Sequence, residues 1–517
     1  MLPVQFPLST LIALPWLGAL LVALLRRTSG ARLVAQVTSL LALLWTAYVW
    51  VRFRPELSGG LQLVERFGPW IAGFDVSYYL AIDGLSVPFL LMGAVLGLGV
   101  IWAADPRQYA LLLLLEGALF GAFLAVDLVL FYVFFELTLL PAFFLILLSG
   151  REEAGPIALR FLLYTMVGSL LLLLAILYVG VEAGRAFNNG VFAADWIRLI
   201  REYGPDLPTQ RWLLLIFALA FMIKAGLVPL HAWLPDAYAE GPAVLVGLSK
   251  LGVYGLLRWG APLFPNAWAE LAPWGALLGA VSVLYGGLLA WSERDMRRLV
   301  AYGSIAHMGM LFVGLAATSR EAWQGVVWLA VVSTWIVAGL LLLLQDLERR
   351  SGGHRHPEAY GGWAGVLPLH AVAFGLLLLG FIGLPGLAGF VGEWLILLGA
   401  FRSELLGSTL YVWGAAFGLV LAAAYMLRLW ERLFWGELRN RPSGPGIRLL
   451  IPALLPVLLL LFGIGMGASY WLRRSEAQIG YLIQWRAEKA EQLGSGSRVE
   501  RFLPAPAVPN LEGKTVP

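Results

Sequence analysis

The chain has 517 residues, 60% hydrophobic and only 13% charged, about half the charged share of a soluble domain. That balance excludes a soluble globular protein, and a net charge of +4 with no basic tract excludes a nucleic-acid binder. The lack of any cysteine excludes disulfides, thiolate metal sites and cysteine nucleophiles.

Apolar runs of about 20 residues recur along nearly the whole chain, the pattern of a polytopic helical membrane protein. The N-terminus "MLPVQFPLST" has no basic n-region, so the first run reads as a retained span rather than a cleaved signal. About 14 spans are predicted, near 8–25, 33–51, 84–103, 109–126, 128–148, 161–181, 212–230, 242–260, 270–291, 299–318, 323–345, 365–400, 407–431 and 448–472. The fourth and fifth are separated by little more than Asp127. The region 365–400 is too long for one helix, and "GFIGLPGLAGFVGE" predicts a break near Pro385. The segment "KAGLVPLHAWLP" has the same character, with Pro229 five residues after Lys224. Two interrupted helices in corresponding halves point to a transporter with inverted repeats and midplane sites.

The expected fold class is therefore all-α and polytopic, with two internal repeats and discontinuous seventh and twelfth helices. The domain reading is 1–107 for the first three spans, 108–260 and 261–434 for the two repeats, 435–474 for the final span, and 475–517 for a polar tail. Within that tail "EAQIGYLIQWRAEKAEQL" reads as an amphipathic surface helix, and the Gly/Ser- and Pro-biased remainder as extended or disordered. Arg26, Arg27, Arg32, Arg294, Arg297, Arg298, Arg349, Arg350, Arg355, Arg432, Arg439 and Arg441 fall in alternate loops. The positive-inside rule makes those loops cytoplasmic and both termini outside. The longer outside loop at 182–211, with four arginines, runs against the trend.

The chain has four lysines. Lys489 and Lys514 lie in the polar tail, but Lys224 and Lys250 lie inside apolar runs, where a lysine is costly unless paired or hydrated. Glu136, in "VLFYVFFELTLLPAFFLILL", either holds a proton or needs a cation. Lys224 follows Arg211 by 13 residues, about 20 Å along a helix and past its centre, with snorkelling to a helix end or simple pairing as its bland alternative. Pro229 frees carbonyls that could orient its ammonium. Lys250 sits among Gly247, Gly252 and Gly255, with Arg258 marking the far edge of its span. Glu393 follows the break at Pro385, and His307 lies in "RRLVAYGSIAHMGMLFVGL". Each has a bland alternative: an ion pair locking two helices, a packed lysine, a core histidine, or a carboxylate at a subunit interface. Together they suggest a proton path. His231 reads as structural or as a loop gate. His354 and His356 form a pair in a basic loop without the further ligands of a zinc site.

The chain resembles the antiporter-like, proton-translocating membrane subunits of respiratory complex I, NADH–quinone oxidoreductase, and most of all their M-type branch. The segments that carry this are "YYLAIDGLSVPFLL" from Tyr78, "VLFYVFFELTLLP" from Val129, "RFLLYTMVGSLLLLLAIL" from Arg160, "KAGLVPLHAWLPDA" from Lys224, "KLGVYGLLRW" from Lys250, "RDMRRLVAYGSIAHMGM" from Arg294 and "GLPGLAGFVGEWLILLGAF" from Gly383. The resemblance implies a Glu136–Lys224 pair, a central relay at Lys250, His307 before the "MG", and the M-type glutamate at Glu393. Glu116 matches a further family acid. It also implies no cofactor or metal in this chain. NAD, FMN, iron–sulfur clusters and quinone belong to partner subunits, with L-type and N-type antiporter-like neighbours in a bacterial inner membrane. The wider superfamily keeps open a sodium/proton antiporter subunit, a membrane-bound hydrogenase subunit, or a non-conducting structural homologue. Three departures from the family pattern stand out. The linker "YAEGPAVLVG" is about five residues short, with Tyr238 where a histidine is usual. Val332 or Ser333 replaces a histidine of the eleventh span, leaving Ser333 and Thr334 to hold water there. Arg160 replaces a lysine.

Overall fold

The computed structural model describes residues 6–25, 30–57, 60–71, 73–149, 153–443 and 451–494. Arg26, Arg27, Lys514 and the Gly/Ser- and Pro-biased tail lie outside the described residues. Helices α1 (Pro7–Leu25) and α2 (Gly30–Arg52) lead to β1 (Gln62–Phe67), β2 (Phe74–Asp75) and β3 (Tyr78–Ile82). Then come α3 (Ser86–Ala103), α4 (Tyr109–Leu124), α5 (Leu128–Leu137), α6 (Leu139–Leu147) and α7 (Ala154–Phe187). After β4 (Phe192–Ala193) and α8 (Trp196–Glu202), α9 (Leu207–Ala225) stops at a loop, followed by α10 (Leu234–Glu240) and α11 (Leu245–Gly255). A π-helical turn over Leu256–Gly260 joins α11 to α12 (Ala261–Leu263). The chain continues with α13 (Pro265–Ser292), α14 (Met296–Ala317), α15 (Arg320–Arg350), α16 (Pro368–Phe381), α17 (Ala388–Phe401), α18 (Leu410–Phe434), α19 (Ile451–Met466) and α20 (Ala468–Gly494).

Among the described residues, 11 helical segments are long and apolar enough to cross a membrane, or 12 with the bent pair of α19 and α20 counted once. Both expected interruptions are present. The first separates α9 from α10, and the second runs from Ile382 to Leu387 between the short apolar helices α16 and α17. The purely α expectation needs correction. β1 pairs antiparallel with β3, Phe67 opposite Tyr78, and β2 pairs parallel with β4. The cause is local: "QLVERF" and "YYLAI" are rich in aromatic and aliphatic residues, which suit a half-buried ladder, and are too short to register as spans.

Aspartates start the helices. Asp127, Asp195, Asp206 and Asp295 accept from backbone N–H groups at the starts of α5, α8, α9 and α14. Each satisfies donors left over at a helix start and favours its positive end. The apolar central part of α15 is buried on all sides.

The molecule has two polar faces. On one, Arg355 of the α15–α16 loop pairs with Glu240 (2.6 Å), Asp295 (3.1 Å) and Glu348 (3.0 Å), binding α10, α14 and α15 together. This arginine-rich face includes α10 and the loops at residues 241–244, 293–295 and 351–367. On the other face lie the strands, α8 and α20. After an 81° bend from α19, α20 runs across the helix ends. Arg474 donates to Trp50 O and Phe53 O, Trp328 donates to Ser475, and Arg486 donates to Pro265 O. The amphipathic reading of this segment holds, with Ile479, Leu482 and Trp485 buried. Lys489 is not the solvated tail residue expected. It is 1% exposed, donates to Ile200 O at 2.7 Å and lies 4.7 Å from the Trp485 ring centroid.

Candidate functional site

The first interruption positions Lys224. Helix α9 ends at Gly226, which takes a left-handed conformation at φ 70°, favourable only to glycine-like residues. The carbonyls released there are taken by the chain itself. Trp233 Nε1 donates to Ile223 O at 2.8 Å and Leu227 N to Met222 O at 3.1 Å. The hydrogen bond of the ammonium goes elsewhere. Lys224, 3% exposed, instead donates to Thr138 Oγ1 at 3.0 Å and sits 4.5 Å from the Phe135 ring centroid. Thr138 lies at the joint between α5 and α6. Glu136, half-buried on the last turn of α5, is near enough to act electrostatically on Lys224. No direct ion pair joins the two among the described residues. A hydroxyl and an aromatic face hold the ammonium where a carboxylate contact was expected.

Lys250 is fully buried on α11. Its ammonium donates to Met308 Sδ at 3.2 Å, a weak acceptor. The glycines around it serve packing: Gly252 faces Phe221 O and Ala225 of α9, bringing the two lysine-bearing helices together. Met308 neighbours His307 on α14. His307 Nε2 lies 3.2 Å from Phe381 O and 3.7 Å from Glu393 Oε1. The imidazole packs on Phe381 with ring centroids 4.2 Å apart.

The second interruption positions Glu393. Phe381 ends α16, the chain turns through Gly383 at φ 69°, and Glu393 stands in the second turn of α17. Its carboxylate fills the space beside Gly383 that a side chain there would need. Glu393 Oε1, His307 Nδ1 and Tyr425 Oη are buried without a hydrogen-bond partner among the described residues. Glu116, on α4, packs against Gly97, and both its oxygens are also buried without partners. The structure thus places Lys250, His307 and Glu393 around the α14–α17 contact, and Glu136 and Lys224 around the α5–α9 contact.

The departures from the family pattern have physical counterparts. Tyr238 donates to Ser249 Oγ at 3.0 Å, one residue before Lys250. The short linker is anchored by Arg355 to Glu240 and by Arg297 to Gly241 O at 3.1 Å. Arg160 pairs with Asp236 at 2.7 Å, and Arg298 pairs with the same carboxylate. Ser333 and Thr334 both donate to Ala330 O, at 3.4 and 2.8 Å, so their hydroxyl protons are used within their own helix.

Sequence reasoning missed several polar groups. Arg258 does not mark an edge. It is 3% exposed within the π-helical turn and makes a bidentate pair with Asp83 at 2.6 and 2.8 Å. Its signal was an isolated aspartate at the start of α3. His370 pairs with Asp346 at 2.9 Å, and Arg350 with the same carboxylate at 2.5 Å. Arg355 lies between the two histidines that drew attention and is the residue that organises that face. Tyr425 carries no charge and gave no signal. No group of three or more metal-ligating side chains occurs among the described residues.

Residues 125–418 match the family model described as "NADH:quinone oxidoreductase/Mrp antiporter, TM". The chain is similar to NADH-quinone oxidoreductase subunit M of Escherichia coli K12, 32% identical over 512 residues, covering 92% of this chain and 97% of that protein. Among solved structures it is similar to a chain of respiratory complex I from Thermus thermophilus with bound NADH, with a TM-score of 0.83 and 30% identity over 94% of this chain and all of that one. It shares its fold with a chain of the Mrp complex from Dietzia sp. DQ12-45-1b, with a TM-score of 0.79 at 21% identity over 93% and 99% of the two chains. The two broken helices and the buried lysines thus sit in a fold shared along nearly the whole length of these relatives, and the chain belongs to the M-type antiporter-like membrane subunits of respiratory complex I.

Proposed function

We propose that this chain translocates protons through Glu136, Lys224, Lys250, His307 and Glu393, driven by quinone reduction in partner subunits. The observation that carries the reading is Lys250. Its ammonium is wholly buried and has a thioether as its hydrogen-bond partner. A structural lysine would be held by a carboxylate or carbonyl oxygens. One held this weakly is suited to give up its proton and take it back.

Coupling acts through charge. In the structure Thr138 holds Lys224 without a direct contact to Glu136. Bringing the two to about 4 Å at an effective dielectric of about 20 contributes roughly 4 kcal/mol, or about three pKa units. A charge change at a neighbouring subunit that makes or breaks this contact would move protons between Lys224 and Lys250, and on towards His307 and Glu393. The chain itself supplies no redox centre in this reading. NAD, FMN, iron–sulfur clusters and quinone belong to the partners, and L-type and N-type subunits are its neighbours. The finer architecture that accompanies the proposal is 14 crossings in two inverted repeats, with both termini outside a bacterial inner membrane and the arginine-rich face in the cytoplasm.

The test is Lys250→Met in the assembled complex, with proton pumping measured per NADH oxidised and complex abundance measured beside it. Methionine matches the length and the thioether surroundings, so assembly should persist while pumping falls. Undiminished pumping per NADH would defeat the relay. Recovery of this chain without flavin and iron–sulfur subunits would favour the ion-antiporter alternative.

A further inference from the structure

Two cavities adjoin on the arginine-rich face, one of about 580 Å³ and one of about 460 Å³. The larger lies between the α13–α14 turn, the loop after Arg355 and the end of α18. Arg428, Arg432 and Glu358 border both. Arg294 reaches the larger one from the α13–α14 turn, so guanidinium groups from two separate elements line one space. Their partners set two of them apart from the other arginines nearby. Arg298 and Arg355 hold carboxylates, and Arg432 pairs with Glu358 at 3.0 Å. Arg294 and Arg428 have no carboxylate partner among the described residues. The acids of the larger cavity are already engaged. Glu358 takes Arg432, and Glu293 Oε1 accepts from the backbone N–H groups of Arg294 and Asp295 at 2.8 and 3.1 Å. Arg294, Arg428 and Arg432 against Glu293 and Glu358 leave an excess of positive charge there.

The cavity stands at the edge of the apolar wall. Trp291, exposed at the end of α13, borders it, and the Arg428 guanidinium lies 4.9 Å from the Trp291 ring centroid. Trp435, also exposed, borders the smaller cavity. Exposed tryptophans at the ends of spans sit at headgroup depth. From there, exposed apolar side chains run along both helices, Leu288 and Val281 on α13, Leu427 and Val420 on α18. The two helices meet closely, with Gly287 against Leu421 and Gly418 against Val283, so they form one wall. A ligand that fits must carry an anion at one end and hydrocarbon at the other. A phosphodiester supplies acceptor oxygens suited to guanidinium donors, and a basic pocket between spans at this face suits an anionic lipid headgroup.

We propose that the larger cavity binds the phosphodiester headgroup of an anionic phospholipid such as phosphatidylglycerol, held by Arg294 and Arg428, with an acyl chain on the α13–α18 wall. The headgroup supplies the anion that these two arginines lack within the chain. It also ties the α13–α14 turn to α18, two elements that otherwise meet here through Arg428 and Trp291, whose carbonyl accepts at 3.5 Å. The site is independent of the relay reading, since neither arginine touches Glu136, Lys224, Lys250, His307 or Glu393. The bland alternative is a pair of solvated arginines placed by the positive-inside rule, with ordinary surrounding lipid beside them.

The test uses the assembled complex, stripped of lipid in detergent and reconstituted into phosphatidylcholine vesicles. The vesicles carry a trace of phosphatidylglycerol with a diazirine near its acyl ester, and crosslinks are mapped by mass spectrometry of this chain's peptides. Labelling is expected on the peptides that hold Leu288 and Leu427. In the double variant Arg294→Gln, Arg428→Gln it should fall roughly thirtyfold, about fivefold for each arginine. Arg294→Gln alone, in an exposed turn, reads the fivefold step if the double variant fails to assemble. The same probe with a choline headgroup should label these peptides weakly. Equal labelling by the two probes, no labelling by either, or labelling undiminished in the variants overturns the site. Inorganic phosphate, matched with chloride for ionic strength, separates the sources of the anion. Labelling that persists in phosphate supports the lipid, and labelling displaced by phosphate but not by chloride overturns the lipid in favour of a soluble anion.

Discussion

The two broken helices use the same device for opposite ends. Each stops at a glycine in the left-handed region, Gly226 and Gly383. At the first, the freed carbonyls are bonded by Trp233 and by loop amides, and the nearby cation rests on Thr138 and Phe135. At the second, Phe381 O meets the imidazole of His307, and Glu393 keeps one oxygen without a partner. The first break is satisfied and holds a buried lysine beside it. The second is unsatisfied and needs water or a proton to complete it. A helix break is thus not itself a transport site. What it leaves unpaired decides what it can carry.

The largest expected effect separates the two glycines. An alanine at either pays about 1–2 kcal/mol for the left-handed conformation. Gly226→Ala meets the side chain of Leu234, which can move, whereas Gly383→Ala meets the carboxylate of Glu393. Gly383→Ala should therefore lose assembled complex, and Gly226→Ala should lose less. Equal losses would show that the Glu393 carboxylate is free to move aside. Next comes Thr138→Val, which leaves the Lys224 ammonium without its oxygen and should cost about 1–3 kcal/mol. Thr138→Ser should recover it. A denaturation series on the purified complex reads both. If valine is tolerated, Glu136 supplies the ligand after all. Smaller again is the contrast between Glu393→Gln and Glu136→Gln. The first is buried and 3.7 Å from His307, and the second is half-buried with no direct cation contact. Glu393→Gln should slow pumping about tenfold, about 1.4 kcal/mol in barrier terms, and Glu136→Gln less. The reverse order would place the switch at the first break.

Most of the span positions and both breaks were legible because hydropathy and proline report directly on burial depth and on backbone hydrogen bonding. The burial of Lys224, Lys250, His307 and Glu393 was legible because each lies within an apolar run. Their partners were not. Nothing in "FFELTLLP" distinguishes a cation held by Glu136 from one held by Thr138, since both lie on the same turn and only the packing of α9 chooses between them. Tyr425 was invisible because a tyrosine in a span is ordinary, and its importance comes from what it lacks, a partner for its hydroxyl. Arg258 and Lys489 were misplaced for a shared reason. Position in the chain suggested a water-facing edge, while the π-helical turn and the docking of α20 bury them.

Lys489 supplies the smallest predicted effect and a control for the comparison. Its surroundings copy those of Lys224: one oxygen, Ile200 O, and one aromatic face, Trp485. It lies outside the membrane-spanning segments, on α20, and no relay residue touches it. Burial pushes its ammonium from the usual lysine range down to about 7. The folded value lies below the unfolded one, so between about 7 and about 10.5 the undocked chain binds the extra proton, and docking of α20 should strengthen as pH rises through that window. Hydrogen exchange of α20 amides near Lys489 should therefore show higher protection factors, corrected for the intrinsic pH dependence of exchange, at pH 9 than at pH 6. Lys489→Met should remove that dependence and leave pumping unchanged. A pumping defect in Lys489→Met would mean that an oxygen plus an aromatic face is not a neutral way to bury a lysine in this protein, and the contrast between a holding and a carrying site would have to be drawn from position rather than from ligands.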